Sequence, residues 1–432
     1  MNGVAVGEWR IDGLGRHTFS YGRSWTDRPD ARPLSLSMPL QPPDVPYKGA
    51  LVESFFDNLL PDSADIRRRV QRRVGAASSS AFDLLAEIGR DCVGAVQLLP
   101  AGEDVGDVHT IQGVPLDEAG VAFAIRSAVS GPPLGQRDEE PFRISLAGAQ
   151  EKTALLHHDG GWWRPTGATP TTHIFKLPLG RVGNMQADLS TSVENEWLCA
   201  QIVREFGLPV AESEIMDFDD QHVLVVKRFD RKPSRNGQWW LRLPQEDMCQ
   251  ATGTPPDQRY EADGGPGIRE ICSLLLGSRE AYRDRRNFFK AQALFWMLCA
   301  IDGHAKNFSL FIEPHGRYTL APLYDIMSAY PILGSGANRL APQKARMAMA
   351  VTGKNRHYKW MEIQPRHWLT TAASVGLEST VDEDLESLTS QVPKVVESVS
   401  GLLPDRFPDS VATPVLEGLR QSANRLAELV AE

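Results

Sequence analysis

The pattern of apolar residues changes character near Asp247, and that change limits the chain to an architecture with two segregated parts. Before it, short apolar runs of strand type alternate with turn residues. They cover Val4 to Ile11, His17 to Tyr21, Val93 to Leu99, Phe142 to Leu146, Lys152 to His157, His173 to Leu177 and His222 to Phe229. Capped helical stretches interrupt them. Asp62 and Ser63 precede the basic run Ala64 to Val74, which Gly75 stops, and Ser80 precedes a short apolar helix ending at Gly89. Thr191-Ser192-Val193-Glu194 reads as a capping box for a helix over Val193 to Phe206 closed by Gly207. After Asp247 long helical periodicities take over, at Gly267 to Leu276, at Arg283 to Ile301 and at several places between Trp360 and Glu432. The expected class is therefore α+β, a strand-rich N-terminal lobe followed by an all-helical C-terminal lobe.

A chain of 432 residues is also too long for one small core. Divided by pattern, it reads as 1–105, 106–248 and 249–432, with a Gly-, Pro- and acid-rich connection over Pro100 to Arg143 that holds a helix near Leu116 to Val129. The formal charge of -9 argues against a protein that coats nucleic acid by itself and leaves room only for a local basic patch. No basic segment followed by an apolar run opens the sequence, and no membrane-length apolar window occurs. The five cysteines form no metal-binding spacing, so buried thiols in a reducing cytoplasm are expected. Adjacent His157 and His158 on a strand point to opposite faces, which disfavours a zinc site built on them with His304.

The chemistry concentrates in Ala300 to Tyr330, AIDGHAKNFSLFIEPHGRYTLAPLYDIMSAY. A helix delivers Asp302 to a loop, Asn307 follows five positions later, and two strand-like runs flank Pro314-His315-Gly316 before Asp325. A hairpin centred on Gly316 would set Asn307 opposite Asp325, with Cβ atoms about 5 Å apart. An amide oxygen beside a carboxylate makes a hard-oxygen site of the kind magnesium takes. Asp302 could then orient or deprotonate an attacking hydroxyl. A D-x-x-x-x-N pair followed by a metal-binding Asp is the phosphoryl-transfer arrangement of protein kinases. The alternative is a helix-end Asp and a turn Asn with no shared role.

Groups able to hold phosphates occur upstream. Ala147-Gly148-Ala149 lack bulky side chains, so backbone N–H groups could approach an anion there. Lys152-Thr153 resembles the end of a Walker A loop, but Glu151 replaces the required glycine and a strand follows, which excludes that reading. Lys176 lies in the apolar run HIFKL, either facing solvent or pairing with nucleotide phosphates, with Glu196 rather than Glu194 the better orienting partner.

These stretches resemble the HipA family of bacterial toxin kinases. The likeness runs through ARPLSLSMPL (Ala31 to Leu40), FFDNLLPDS (Phe55 to Ser63), FDLLAEIGRD (Phe82 to Asp91), RISLAGAQEKTALL (Arg143 to Leu156) and THIFKLPLG (Thr172 to Gly180). It continues through LRLPQEDMCQ (Leu241 to Gln250), YEADGGPGI (Tyr260 to Ile268), DGHAKNFSLF (Asp302 to Phe311) and LYDIMSAYP (Leu323 to Pro331). The resemblance implies a two-lobed protein-kinase-like fold and phosphorylation of serine with ATP and Mg2+. It implies Asp302 as base, Asn307 and Asp325 as metal ligands and Lys176 as a nucleotide contact. It makes Ala147, Gly148, Ala149, Gln150, Glu151 and Lys152 a phosphate loop, and Lys227, Arg228 and Phe229 the hinge that meets adenine. Lys227 stands where relatives often have Glu, so a side-chain contact to ribose does not carry over. His304 is expected to face the phosphates and Tyr324 to join the nucleotide site. The family further implies autophosphorylation, here at Ser145, where added charge beside ATP would act as an off-switch. Implied partners are a HipB-like helix-turn-helix antitoxin, operator DNA reached mainly through it, and glutamyl-tRNA synthetase as substrate. Trp368 to Leu377 lacks basic residues and supports no direct DNA contact. Two other readings remain: a catalytically weak co-repressor, and a kinase of a small molecule or another protein.

Overall fold

The computed structural model describes residues 1–130, 144–148, 150–183 and 186–427. The chain divides into two compact units, each assembled from three segments. The first holds Met1–Leu177, Met216–Asp257 and Leu310–Tyr318, and the second holds Pro178–Ile215, Gln258–Ser309 and Thr319–Glu432.

In the first unit, strands Gly7–Ile11, His17–Tyr21 and Tyr47–Lys48 form a small antiparallel sheet. It shares a core with the helices Ala50–Asp57 and Ala81–Ile88, where Phe19, Tyr21, Phe55, Phe56, Leu84 and Leu85 are buried. The basic helix Ala64–Val74 forms as its caps demand: the Ser63 hydroxyl accepts from the Ile66 N–H, and Gly75 ends it at φ 73°. A six-stranded sheet follows in the order Ser213–Phe218, Gln221–Lys227, His173–Lys176, Lys152–His158, Gly161–Pro165 and Gly113–Leu116. Phe175, Leu155, Val223 and Val225 pack from this sheet against Val121 and Ile125 of the helix Glu118–Ser130.

Val93 to Leu99 is not the expected strand. Arginines hold its start: Arg231 donates to Gly94 O (2.8 Å) and to the preceding Cys92 O (2.8 Å), and Arg228 also donates to Cys92 O (2.9 Å). These arginines belong to a buried ion network. Arg228 holds Asp230 through two bonds of 3.0 and 2.8 Å, while Asp91 accepts from Arg231 (3.0 Å), Arg242 (3.3 Å) and the Thr171 hydroxyl (2.6 Å). Burial pushes the Asp91 carboxyl up, but Arg231, Arg228 and Arg242 outweigh it and hold it well below the usual range.

The LRLPQEDMCQ stretch is a second buried polar element. Asp247 and Gln250 form a capping box on the helix Met248–Thr252, and Gln250 reaches back to Phe55 O at 3.0 Å. Glu246 is fully buried and accepts from the Leu36 N–H at 2.8 Å through one oxygen. No described residue hydrogen-bonds its other oxygen. Desolvation raises this carboxyl to about 8.

The second unit is mainly helical. Ala281–Met297 runs through its core with Phe288, Phe289, Phe295 and Trp296 buried, packed against Val381–Leu402, Asp409–Ala427 and Trp368 of Pro365–Ser374, while Ser192–Glu205 packs on Val381–Leu402 and Asp409–Ala427. The expectation of an all-helical C-terminal half needs correction, because Arg346–Thr352 and Arg356–Lys359 pair as a hairpin. Those runs are short and bounded by Gly353, a strand signal that the helical periodicity on either side overshadows. The predicted capping box at Thr191 does not form either: Thr191 makes no side-chain cap bond, and the helix begins at Ser192. The Ser192 hydroxyl instead accepts from the Leu179 N–H at 2.9 Å. All five cysteines are buried. No helix among the described residues is long and apolar enough to cross a membrane.

Candidate active site

The predicted site residues fall in both units, and those of the second unit start on the loop after Ala281–Met297. Cys299, at φ 49°, turns the chain out of the helix and Asp302 lies exposed on the loop. Asp302 O is clamped twice, by the His304 N–H at 2.7 Å and by Asn307 Nδ2 at 2.8 Å. The Asn307 N–H closes the turn on His304 O at 2.9 Å. Gly303 is dictated by packing, since a Cβ there would stand 2.6 Å from the Phe295 ring. The Asp302 and Asn307 pair is therefore one closed turn. The Asn307 side chain spends its amino group on the loop, and no described residue donates to its Oδ1.

Asp325 is reached by a different route from the expected one. The Glu313 N–H donates to Arg317 O (2.7 Å) and the Ala321 N–H to Ser309 O (2.8 Å), so the hairpin is centred on His315 rather than Gly316. Extending that register sets Asn307 opposite Leu323, and Asp325 lies two positions further on. His315 takes a left-handed φ of 65° ahead of Gly316 at 72°, which shifts the turn by one residue. The ladder has ended before Asp325, because Leu323 pairs with 209–211 instead: its N–H donates to Pro209 O and its carbonyl accepts from Ala211, both at 2.8 Å. Asp325 itself has φ 58°. The segment beyond is pinned by Asn195, which exchanges two 2.8 Å bonds with the Ser328 backbone. Tyr324 puts its hydroxyl on Lys306 O (2.7 Å) and Ser309 Oγ (2.6 Å), tying this segment to the Asp302 loop. His304 is buried, with its ring edge-on to Tyr260 at 5.0 Å.

In the first unit, Lys176 is buried, contrary to the solvent-facing alternative. Across the antiparallel strands its register partner is Lys152. Two cations at directly opposite positions disfavour one another unless an anion is shared. Lys152 Nζ donates to Ala147 O, and Gly148 occupies φ 109°, where a Cβ would meet that ammonium. Gln150 bonds Leu177 O (2.5 Å), and Glu151 pairs with Arg69. Ala149 and residues 131–143, which include the end of the connecting region and the start of the expected strand Phe142 to Leu146, lie outside the described residues. Ser145 is fully buried, its hydroxyl donating to Leu59 O at 2.8 Å.

The hinge residues divide. Arg228 has its side chain in the ion network and its N–H on Thr172 O (2.9 Å), so neither is available to a base. Lys227 is exposed at the strand end, and the Phe229 ring meets Phe311 edge-on at 5.7 Å. The residue that sequence reasoning passed over is Tyr260, whose hydroxyl donates to Asp302 Oδ1 at 2.5 Å. It stands first in the quoted stretch YEADGGPGI, an aromatic immediately ahead of an acidic, glycine-rich turn.

A strand-rich unit with a cationic, glycine-bearing loop, and a helical unit with a closed Asp–Asn turn and a following Asp, define the protein-kinase-like class. Comparison with known proteins sharpens this. Residues 1–99 match the HipA N-terminal domain and residues 144–398 the HipA-like C-terminal domain. Y4mE of Sinorhizobium fredii is 32% identical over 428 residues, 95% of each chain. The serine/threonine-protein kinase toxin HipA of Shewanella oneidensis is 28% identical over 342 residues, covering 76% of this chain and 74% of that one. The solved complex of Shewanella oneidensis HipA with HipB and operator DNA has the same fold, with a TM-score of 0.79 over 99% of this chain and 96% of that one at 24% identity. The chain belongs to the HipA family of kinases.

Proposed function

We propose that this chain is the toxin kinase of a toxin–antitoxin module and transfers the γ-phosphate of ATP to a serine hydroxyl of a protein. The observation that carries the reading is the closed turn from Asp302 to Asn307, which fixes the backbone of an exposed carboxylate with two bonds of 2.7 and 2.8 Å. Asp302 takes the proton of the acceptor hydroxyl as attack proceeds. The Asn307 Oδ1 and the Asp325 carboxylate fit magnesium, being hard oxygens of which the first receives no protein donor among the described residues. That ion, when bound, supplies neutralisation of phosphate charge. Lys176 and Lys152, opposite one another on adjacent strands, hold the phosphates together with the backbone around Gly148. Adenine contacts fall to the backbone of Lys227 and Phe229, because Arg228 is committed elsewhere.

Ser145 is the proposed autophosphorylation site. Its hydroxyl donates to Leu59 O and is wholly buried, so the 144–148 segment must leave before it can accept a phosphate. A phosphate of up to two negative charges cannot return to that environment, which makes the modification a latch in the inactive state. By likeness to the Shewanella complex, a HipB-like antitoxin is the partner and operator DNA is reached through it. Glutamyl-tRNA synthetase is the proposed external substrate, and the cytoplasm the site of action.

The test is mass spectrometry of the chain and purified glutamyl-tRNA synthetase after incubation with ATP and magnesium, beside Asp302→Ala. Phosphate on Ser145 and on the synthetase, with the parent chain only, is expected. Phosphate at equal levels with Asp302→Ala sinks the base assignment, and none in either favours the co-repressor reading.

A further inference from the structure

The motif YEADGGPGI carries no role in the chemistry so far, yet its first residue touches the proposed base. Tyr260 Oη lies 2.5 Å from Asp302 Oδ1. Its backbone is attached to the same loop, because Arg259 O accepts from the Ala305 N–H at 3.2 Å. The ring is held on two sides, edge-on by His304 at 5.0 Å and by the Arg259 guanidinium 5.2 Å over its face.

The rest of the motif builds a rigid stem beneath this arm. The N–H groups of Asp263 and Gly265 both donate to Tyr260 O at 3.0 Å. A Cβ on Gly265 would sit 2.1 Å from Gln258 O, so only glycine permits the fold-back. A Cβ on Gly267 would collide with the Glu261 carboxylate at 2.3 Å. That carboxylate accepts from the Ala350 N–H at 2.6 Å and pins the stem to the strand Arg346–Thr352.

We propose that Tyr260 is a positioning residue that fixes the plane of the Asp302 carboxylate by holding Oδ1, leaving Oδ2 to take the proton of the acceptor hydroxyl. This rests on the reading of Asp302 as base. The backbone of Asp302 is clamped, but its side chain is exposed and its terminal torsion is intrinsically broad. Without a second tether the carboxylate samples many planes, few of which face a bound hydroxyl. No described residue donates to Oδ2. Burial first, and the charge of Asp302 second, raise the Tyr260 phenol above its ordinary range, so it remains a donor throughout the pH range of kinase action.

The test compares ADP formation from ATP and magnesium by the full chain, Tyr260→Phe, Asp302→Ala and a chain with 3-fluorotyrosine at 260. Tyr260→Phe is expected to lower kcat about tenfold with KM for ATP within about twofold, and fluorotyrosine to restore most of the rate. An unchanged or increased kcat in Tyr260→Phe, with Asp302→Ala inactive, overturns the positioning role; an increase would mean that the phenol blocks the acceptor's place. Parent activity in Asp302→Ala overturns the base reading instead. A measurement that needs no turnover is the pH titration of the 13Cζ resonance of Tyr260. Its midpoint is expected to fall in Asp302→Asn, and an unmoved midpoint refutes the contact.

Discussion

Replacing Glu246 by Gln should flatten the pH dependence of stability. Glu246 is wholly buried, with the Leu36 N–H on one oxygen and no partner among the described residues on the other. Desolvation raises it from 4.5 to about 8, so the folded chain carries a proton that the unfolded chain has released across that interval. A raised carboxyl contributes stability that is fully present below pH 4.5 and is lost as pH climbs through about 8. The slope is at most about 1.4 kcal/mol per pH unit, so from pH 5 to 8 the parent loses up to ~4 kcal/mol from this group. Gln has nearly the same shape, can accept from Leu36 and does not titrate. Urea unfolding of parent and variant, followed by tryptophan fluorescence at several pH values between 5 and 8, measures the difference in slope. Contributions from the histidines cancel in that difference. Parallel lines, differing by less than about 0.5 kcal/mol over the range, would refute the argument, since the burial penalty would then be absent.

Two further substitutions test the scaffold. Asp91→Ala leaves Arg228, Arg231 and Arg242 with Asp230 alone, and should cost about 3–5 kcal/mol in denaturant unfolding because uncompensated cations stay buried; a cost under 1 kcal/mol would show that the network relaxes. Gly303→Ala drives a Cβ toward the Phe295 ring and should cost about 1–3 kcal/mol. Because the displaced turn carries Asp302, kcat should fall more than ATP affinity, and an unchanged kcat would separate the loop from catalysis.

The sequence made much of the local structure legible. Ser63 and Gly75 bound the basic helix at the residues expected, and the strands at Lys152, His173 and His222 appear within a residue or two. These are short-range effects, settled by caps, alternation and turn chemistry. What escaped depends on partners far along the chain. Val93 to Leu99 has strand composition, but its start is held at Cys92 O and Gly94 O by arginines more than a hundred residues away. Thr191 matched a cap pattern whose bonds were not made. At the site, the Asp302 and Asn307 turn follows from five-residue spacing, whereas Asp325 was inferred from a hairpin symmetry that a one-residue shift at His315 removes. The Tyr260 contact spans 42 positions and has no periodic signature.

The threading of the chain has a consequence for its synthesis. The path passes between the two units five times, at 177, 215, 257, 309 and 318. The strand His173–Lys176 receives its neighbour Gln221–Lys227 only after the segment 178–215, which belongs to the other unit, has been made. A nascent chain halted near residue 177 thus carries an open sheet edge with a lysine at its end, and no cut at a single peptide bond yields either unit whole. The first unit has all of its segments only at residue 318 and the second only near the end of the chain, so an activity that needs both units becomes available only when nearly the whole polypeptide has emerged.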